Sequence, residues 1–415
     1  MREAPSTLSD RIGPADGKDV DPRAAMRVGS ELTGAVLGRT TTEAETRFRE
    51  WISGKRRGLE ASAARAALKL AEWPYRFAVL ARGAAYDRGW KRIHRASVPV
   101  VSVGNLTAGG TGKTPVVAWL ARRFLDRGLR VVLLSRGYRA GRDGRNDEAM
   151  ELAERLPGVP HIQNADRVAG AAEAEARFQP DLLLLDDGFQ HRRLHRDLDI
   201  VLIDALEPFG HDHLLPRGLL REPLTALRRA HVIGLTRADL VDAATRDRVM
   251  ERIGRYGAEA APIEIAFQPS GLWDGERIEP MPVSAEVGAF CGIGNPDGFR
   301  RTLEQLGWKL AAFRTFPDHY RYEPADLADL DRWSAALTGA DRILCTRKDW
   351  VKLGRATLGN RPLRALTIEP AIVSGLDAFE RALDAAILPR ARDSEGIPRS
   401  PRIDPSGTSN AGRRA

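Results

Sequence analysis

Residues 104–115 read GNLTAGGTGKTP and follow an apolar run at 98–103. A glycine-rich turn between a strand and an apolar helical pattern (Val116, Val117, Leu120, Phe124) lets successive backbone N–H groups and a helix N-terminus point at phosphate oxygens. Thr107, Ala108, Gly109, Gly110, Thr111, Gly112, Lys113, Thr114 and Pro115 are therefore the expected nucleotide-binding residues. Lys113 has the position that reaches β- and γ-phosphates, and the Thr114 hydroxyl has the position that coordinates Mg²⁺. The match departs from the general pattern at Thr107, where that pattern has glycine.

A second constellation is the run 181–191, DLLLLDDGFQH, an apolar strand ending in Asp186 and Asp187. Ligands of open parallel sheets sit beyond the carboxyl ends of the strands, which is where these acids belong. Paired acids at a strand end also serve as a cap and a turn. With a phosphate loop in the same chain, the expectation is that Asp186 and Asp187 join Thr114 at the metal. Transfer of a phosphoryl group further needs a carboxylate near the acceptor oxygen. Asp147 and Glu148 are a candidate pair for it, although by composition they are an ordinary helix start. His319 is a candidate to tune such a base, against the commoner fate of a histidine as a packing or surface residue.

The elements that must position these groups are short. Strands are expected at 98–103, 130–134, 182–185, 199–203 and 231–235, separated by helical patterns, as in a buried parallel α/β sheet. A second set begins near Pro262, with strands at 289–291 and 342–345 and helices at 296–306 and 324–337. The fold class is thus α/β, a phosphate-loop NTPase-like parallel sheet core with a second, smaller α/β domain. The expected division is a flexible arm at 1–68, an amphipathic helix at 69–97 opening at Pro74, a core at 98–258, the smaller domain at 259–388 and a disordered tail at 389–415.

Composition narrows the partners. Lys and Arg number 64 against 56 acids, a formal charge of +8, which favours anionic partners without choosing among nucleotide, nucleic acid and acidic membrane. Two distant cysteines, Cys291 and Cys345, exclude a disulfide scaffold and a cysteine zinc cluster. No apolar run reaches the roughly 20 residues of a membrane span. Trp73, Phe77, Leu80 and Ala84 fall near one helical face, followed by Arg88, Lys91, Arg92 and Arg95. That pattern suits either an interfacial helix on an anionic membrane or an ordinary packing helix.

In this order the motifs resemble the tetraacyldisaccharide 4'-kinase family of lipid A biosynthesis. The resemblance rests on 104–115 and 186–191, with support from SRGY at 135–138, NDE at 146–148, LLPRGLLREP at 214–223, GIGNP at 292–296, Asp318-His319 and TRKDWVK at 346–352. It implies an ATP- and Mg²⁺-dependent kinase that phosphorylates the 4'-hydroxyl of an acylated disaccharide 1-phosphate lipid, working peripherally at the cytoplasmic face of the inner membrane, with no nucleic acid expected. By the same resemblance Asp147 is the catalytic base, His319 its partner and Lys113 a catalytic cation. Glu148, Gln190, His191, Arg221 and Glu222 line the substrate cleft, and the 69–97 helix lies on the membrane. Arg347 and Arg217 depart from the residues usual in the family. A rival reading is a switch or partitioning-type ATPase, since 236–239 (TRAD) weakly matches a base-reading signature. A nucleic-acid-dependent NTPase has no supporting motif.

Overall fold

The computed structural model describes residues 41–137, 147–318 and 320–393. They separate into two compact units, one built from residues up to Ala78 with His211–Arg221, the other from Val79–Gly210 and from Glu222 onward.

In the first unit, helix α1 (Thr41–Ser53) precedes helix α2 (Leu59–Asp87), of which the part up to Ala78 belongs here. The helix starts well before the expected Pro74, which lies inside it. The upstream residues are mostly Ala, Leu, Lys, Glu and Arg, and their combined preference outweighs the cost of about 3 kcal/mol for one internal proline. Residues 59–68, expected in the arm, are therefore helical. Glu72 is buried and accepts from the Leu214 N–H (3.0 Å) and contacts His213 Nδ1 (3.0 Å). Tyr75 donates its hydroxyl to the Arg221 carbonyl at 2.9 Å. Arg217 donates to the Ile52 carbonyl at 3.1 Å, so this unusual arginine has a structural task at the end of α1.

The second unit is organised on a single sheet of thirteen strands among the described residues. Its nucleotide half is parallel, in the order β6 (Val232–Thr236), β5 (Leu198–Asp204), β1 (Val100–Asn105), β4 (Leu182–Asp186), β2 (Val131–Ser135), β3 (His161–Gln163). Every residue of β1, β2, β4 and β6 is buried, as their continuous apolar runs require when both sheet faces are covered. Helix α3 (Lys113–Asp126) places Val117, Leu120, Ala121 and Phe124 against that sheet. The expected strands and the helices α7 (Pro296–Gln305) and α8 (Pro324–Ala336) are present with ends shifted by a residue or a few.

Two long strands went unforeseen, β7 (Ala261–Trp273) and β13 (Arg361–Ser374). They pair with each other antiparallel, while β7 continues the sheet from β6 and β13 leads to β11 (Arg342–Thr346), β9 (Glu286–Cys291) and β10 (Lys309–Thr315). Pro262, Pro269, Pro362 and Pro370 and a register shift at Thr367/Ile368 break their apolar pattern, so the sequence there reads as loop. The expected boundary at 258/259 lies in the turn between helix α6 (Ala243–Tyr256) and β7. Beyond it the sheet has apolar clusters of its own, around Leu303 and Trp308 on one face and Phe290 and Trp350 on the other. The last helix, α10 (Leu376–Asp393), returns to the nucleotide half: Phe379, Leu383 and Ile387 share its core, and Phe379 meets Trp119 of α3 with ring centroids 5.8 Å apart.

Candidate active site

β1 and β4 are neighbours, with Val103 in register with Asp186, so the loop after β1 and the acids ending β4 emerge side by side. Gly112 is the N-cap residue of α3 at φ 79°, a conformation that favours glycine. A Cβ there would come within 2.3 Å of Phe267 Cζ on β7. Gly104 is confined as well, since its Cβ would lie 2.6 Å from that of Phe189. The loop is braced from below: Thr236 Oγ1 donates to the Thr111 carbonyl at 3.1 Å, and Arg237 donates to the Gly110 carbonyl at 3.1 and 3.2 Å. The TRAD segment thus supports the phosphate loop.

Lys113 is buried at the first position of α3. Its Nζ donates to Asn105 Oδ1 at 3.2 Å and lies 3.7 Å from Asp187 Oδ1. Asn105 Nδ2 in turn donates to the Thr107 carbonyl at 2.8 Å. Asp187 sits at φ 56° with its N–H on the Val103 carbonyl, which turns the chain out of β4. Asp186 is almost wholly buried, and its Oδ1 accepts no hydrogen bond from a described residue. Burial, then the Glu148 carboxylate, push its carboxyl up to about 7 against the pull of Lys113. Thr114 is buried beside Lys113 in the first turn of α3.

Gln190 donates from Nε2 to the Asn105 carbonyl at 2.8 Å, and its own carbonyl accepts from Arg82 at 3.2 Å. Arg82 also pairs with Glu222 at 3.2 Å, which Arg229 holds from its other oxygen. Gln190 and Glu222 are therefore joined to the phosphate loop by one polar chain. His191 occupies the tight turn after β4, its N–H on the Gly188 carbonyl. Arg221 belongs to the first unit, where it is buried. Asp147 is the first residue of helix α4 (Asp147–Arg155), with Glu148 next to it, and His319 lies outside the described residues. Sequence reasoning gave no role to Asn105 or Arg82, and it read Thr236 and Arg237 as part of a base-reading signature, whereas they bond to the phosphate loop. Asn105 was within reach, being part of the quoted motif, whereas Arg82 meets Gln190 across 108 residues and carries no local signal.

The family model for tetraacyldisaccharide-1-P 4'-kinase matches residues 64–388. The chain belongs to the tetraacyldisaccharide 4'-kinase family. A tetraacyldisaccharide 4'-kinase of Anaeromyxobacter sp. (strain K) is 43% identical over 358 residues, covering 81% of this chain and 94% of that protein. Another, from Syntrophus aciditrophicus (strain SB), is 40% identical over 323 residues, covering 71% and 86%. Among solved structures, the "apo" form of LpxK from Aquifex aeolicus in complex with ATP superposes with a TM-score of 0.62 at 30% identity, covering 78% of this chain and 99% of that one. These 4'-kinase relatives favour the kinase over the switch-type ATPase.

Proposed function

We propose that this chain transfers the γ-phosphate of ATP to the 4'-hydroxyl of a tetraacyldisaccharide 1-phosphate, giving lipid IVA. The observation that carries the reading is the meeting of Lys113, Asn105, Asp186 and Asp187 at the ends of β1 and β4, in a chain of the 4'-kinase family. The loop N–H groups and the first turn of α3 bind the triphosphate, and Lys113 neutralises charge as it moves from the γ- to the β-phosphate. Asp147 takes the proton of the 4'-hydroxyl as its oxygen attacks phosphorus, the bond to ADP breaks, and His319 supports that base. Glu148, Gln190, His191, Arg221 and Glu222 hold the sugar. The catalytic work is positioning and charge neutralisation.

The residues present suit a divalent cation, because a buried Asp186 Oδ1 without a donor and a carboxyl raised to about 7 are what a missing positive charge leaves behind. Mg²⁺ would be held by Thr114, Asp186 and Asp187, and it would neutralise the β- and γ-phosphate oxygens. No group of three or more His, Cys, Asp or Glu placed to hold a metal ion occurs among the described residues.

Among the described residues no helix is long and apolar enough to cross a membrane. Yet Leu70, Trp73 and Phe77 follow at helical spacing on α2 and are 75%, 67% and 75% exposed. Surface helices normally turn such a face inward, and this one suits the interface of an anionic membrane, at the cytoplasmic face of the inner membrane. Purified protein with Mg-ATP should label the tetraacyldisaccharide 1-phosphate in detergent, and acceptor-independent hydrolysis with no labelling would refute the reading. Replacing Leu70, Trp73 and Phe77 together by Ser should lower binding to anionic vesicles at least about a hundredfold. Unchanged binding would remove α2 from the membrane.

A further inference from the structure

Arg347, one of the departures from the residues usual in the resembled family, lies at the first position of helix α9 (Arg347–Leu353) and is only 5% exposed. Its guanidinium stacks on the Trp273 ring of β7, 4.1 Å from the centroid, and lies 3.1 Å from Glu154 on α4. Glu154 shares α4 with Glu151 and Arg155, which pair at 2.9 Å. Arg155 reaches on to β13, to the Ile368 carbonyl at 3.3 Å and Glu369 at 3.4 Å. Glu369 also takes Arg122 of α3 at 2.5 Å. Three arginines and three glutamates thus join α3, α4, α9 and β13 in a neutral cluster. Helix α3 begins with Lys113 and Thr114, and α4 begins with Asp147 and Glu148. The two helices that carry the reaction's charged groups at their first turns are therefore fastened at their far ends to the sheet's C-terminal half.

We propose that Arg347 is a positioning residue, which holds α4 against α9 and β7 and so sets where the first turn of α4 stands beside Asp186. The Arg347–Glu154 pair, at 3.1 Å, ties the first turn of α9 to the last turn of α4. Burial costs that guanidinium enough to bring it down to about 10, with Glu154 resisting the change. Removing one partner of such a buried pair leaves the other charge uncompensated, so the loss of Arg347 falls on Glu154 of α4. Arg347 meets the last turn of α4 whereas Asp147 and Glu148 open its first, so its effect on them runs through the helix. The kinetic part of this inference rests on the kinase reading.

The test uses full-length protein carrying Arg347→Met, Arg347→Lys, Arg347→Glu, Glu154→Arg, or the exchange Arg347→Glu with Glu154→Arg. Two readouts are followed: kcat and KM for lipid phosphorylation, and amide hydrogen exchange along 147–155. Arg347→Met should lower kcat about tenfold with KM for ATP within about twofold, because the loop is untouched while the acceptor side is misplaced. Exchange in α4 should quicken while α3 keeps its protection. The exchange of charges should recover both readouts to within about threefold, a coupling that loss of packing does not produce. Unchanged kcat and α4 exchange in Arg347→Met, or a folded double variant no better than its single parents, would overturn the proposal. Should Arg347→Met fail to fold, Arg347→Lys decides: it keeps the charge but loses the fork and the stacking, and wild-type kcat and exchange in it would refute the role. If the wild type transfers no phosphate, the kinase reading falls and the exchange data alone judge the latch.

Discussion

Two buried aspartates, both pushed upward by burial, sit in the two halves of the sheet and differ in company. Asp349, in α9, accepts from Thr346 Oγ1 at 2.6 Å, from the Tyr322 hydroxyl at 2.9 Å and from the Gly292 N–H at 3.0 Å. Asp186, ending β4, has an oxygen without a donor and two carboxylates, Glu148 and Asp187, among its influences. The first acid is fully satisfied by its fold and holds three segments together. The second keeps an unpartnered oxygen beside two other carboxylates, which is the setting that the proposed metal and nucleotide site calls for. The comparison separates a structural use of a buried charge from a chemical one.

The sharpest way to break the comparison is at Lys113. Lys113→Ala should lower kcat for lipid phosphorylation by about a hundred- to a thousandfold while the melting temperature changes little, because one preorganised cation is removed from developing charge. Asp349→Ala should do the reverse. Leaving Tyr322, Thr346 and Gly292 without their acceptor costs about 3 kcal/mol in chemical denaturation, and nucleotide binding by the folded fraction should persist. Equal kinetic losses in the two variants would erase the distinction.

Asp186→Asn sharpens it through pH. The ordinary value is 3.8 and the folded one about 7, so as pH rises through that window the unfolded chain releases this proton before the folded chain does. Folding therefore becomes progressively less favourable, by an amount on the order of a few kcal/mol at most. Relative to wild type, Asp186→Asn should raise the melting temperature at pH 8 and change it little near pH 4, in protein free of nucleotide and metal, even though phosphorylation is lost. A wild-type advantage at pH 8 would show that the surroundings of Asp186 favour its ionised form, against the upward shift. The smallest effect is expected at Gly112→Ala. Strain of about 1–2 kcal/mol at a positive φ, added to the clash with Phe267, should weaken ATP binding by about tenfold, with partial rescue by Phe267→Leu.

These contrasts also show what a linear sequence exposes. The phosphate loop and the DDGFQH turn were legible because each is local: consecutive residues, a strand before, a helix or turn after. Asn105 was legible in principle for the same reason. The brace from Arg237 and the chain through Arg82 were not, since each joins residues more than a hundred positions apart. β7 and β13 stayed hidden because prolines interrupt them, and their partner strands make up for the lost pattern. Arg347 stood out only as a departure, and its partner on α4 could not be read without the fold. The helix through Pro74 shows propensity over many residues outweighing one breaker.

The continuity of the sheet at β6 and β7 has a consequence for how the chain is made. Synthesis delivers β6 before β7 exists, and for that interval the nucleotide half ends in an open strand edge whose backbone groups have no partner. The same half lacks the Phe379, Leu383 and Ile387 side chains that will later complete its core. A fragment ending near 258 thus has an unpaired strand at one border and an incomplete core on one face. Gene fragments cut at that point should express as aggregates, and the two halves should assemble only when they are made together.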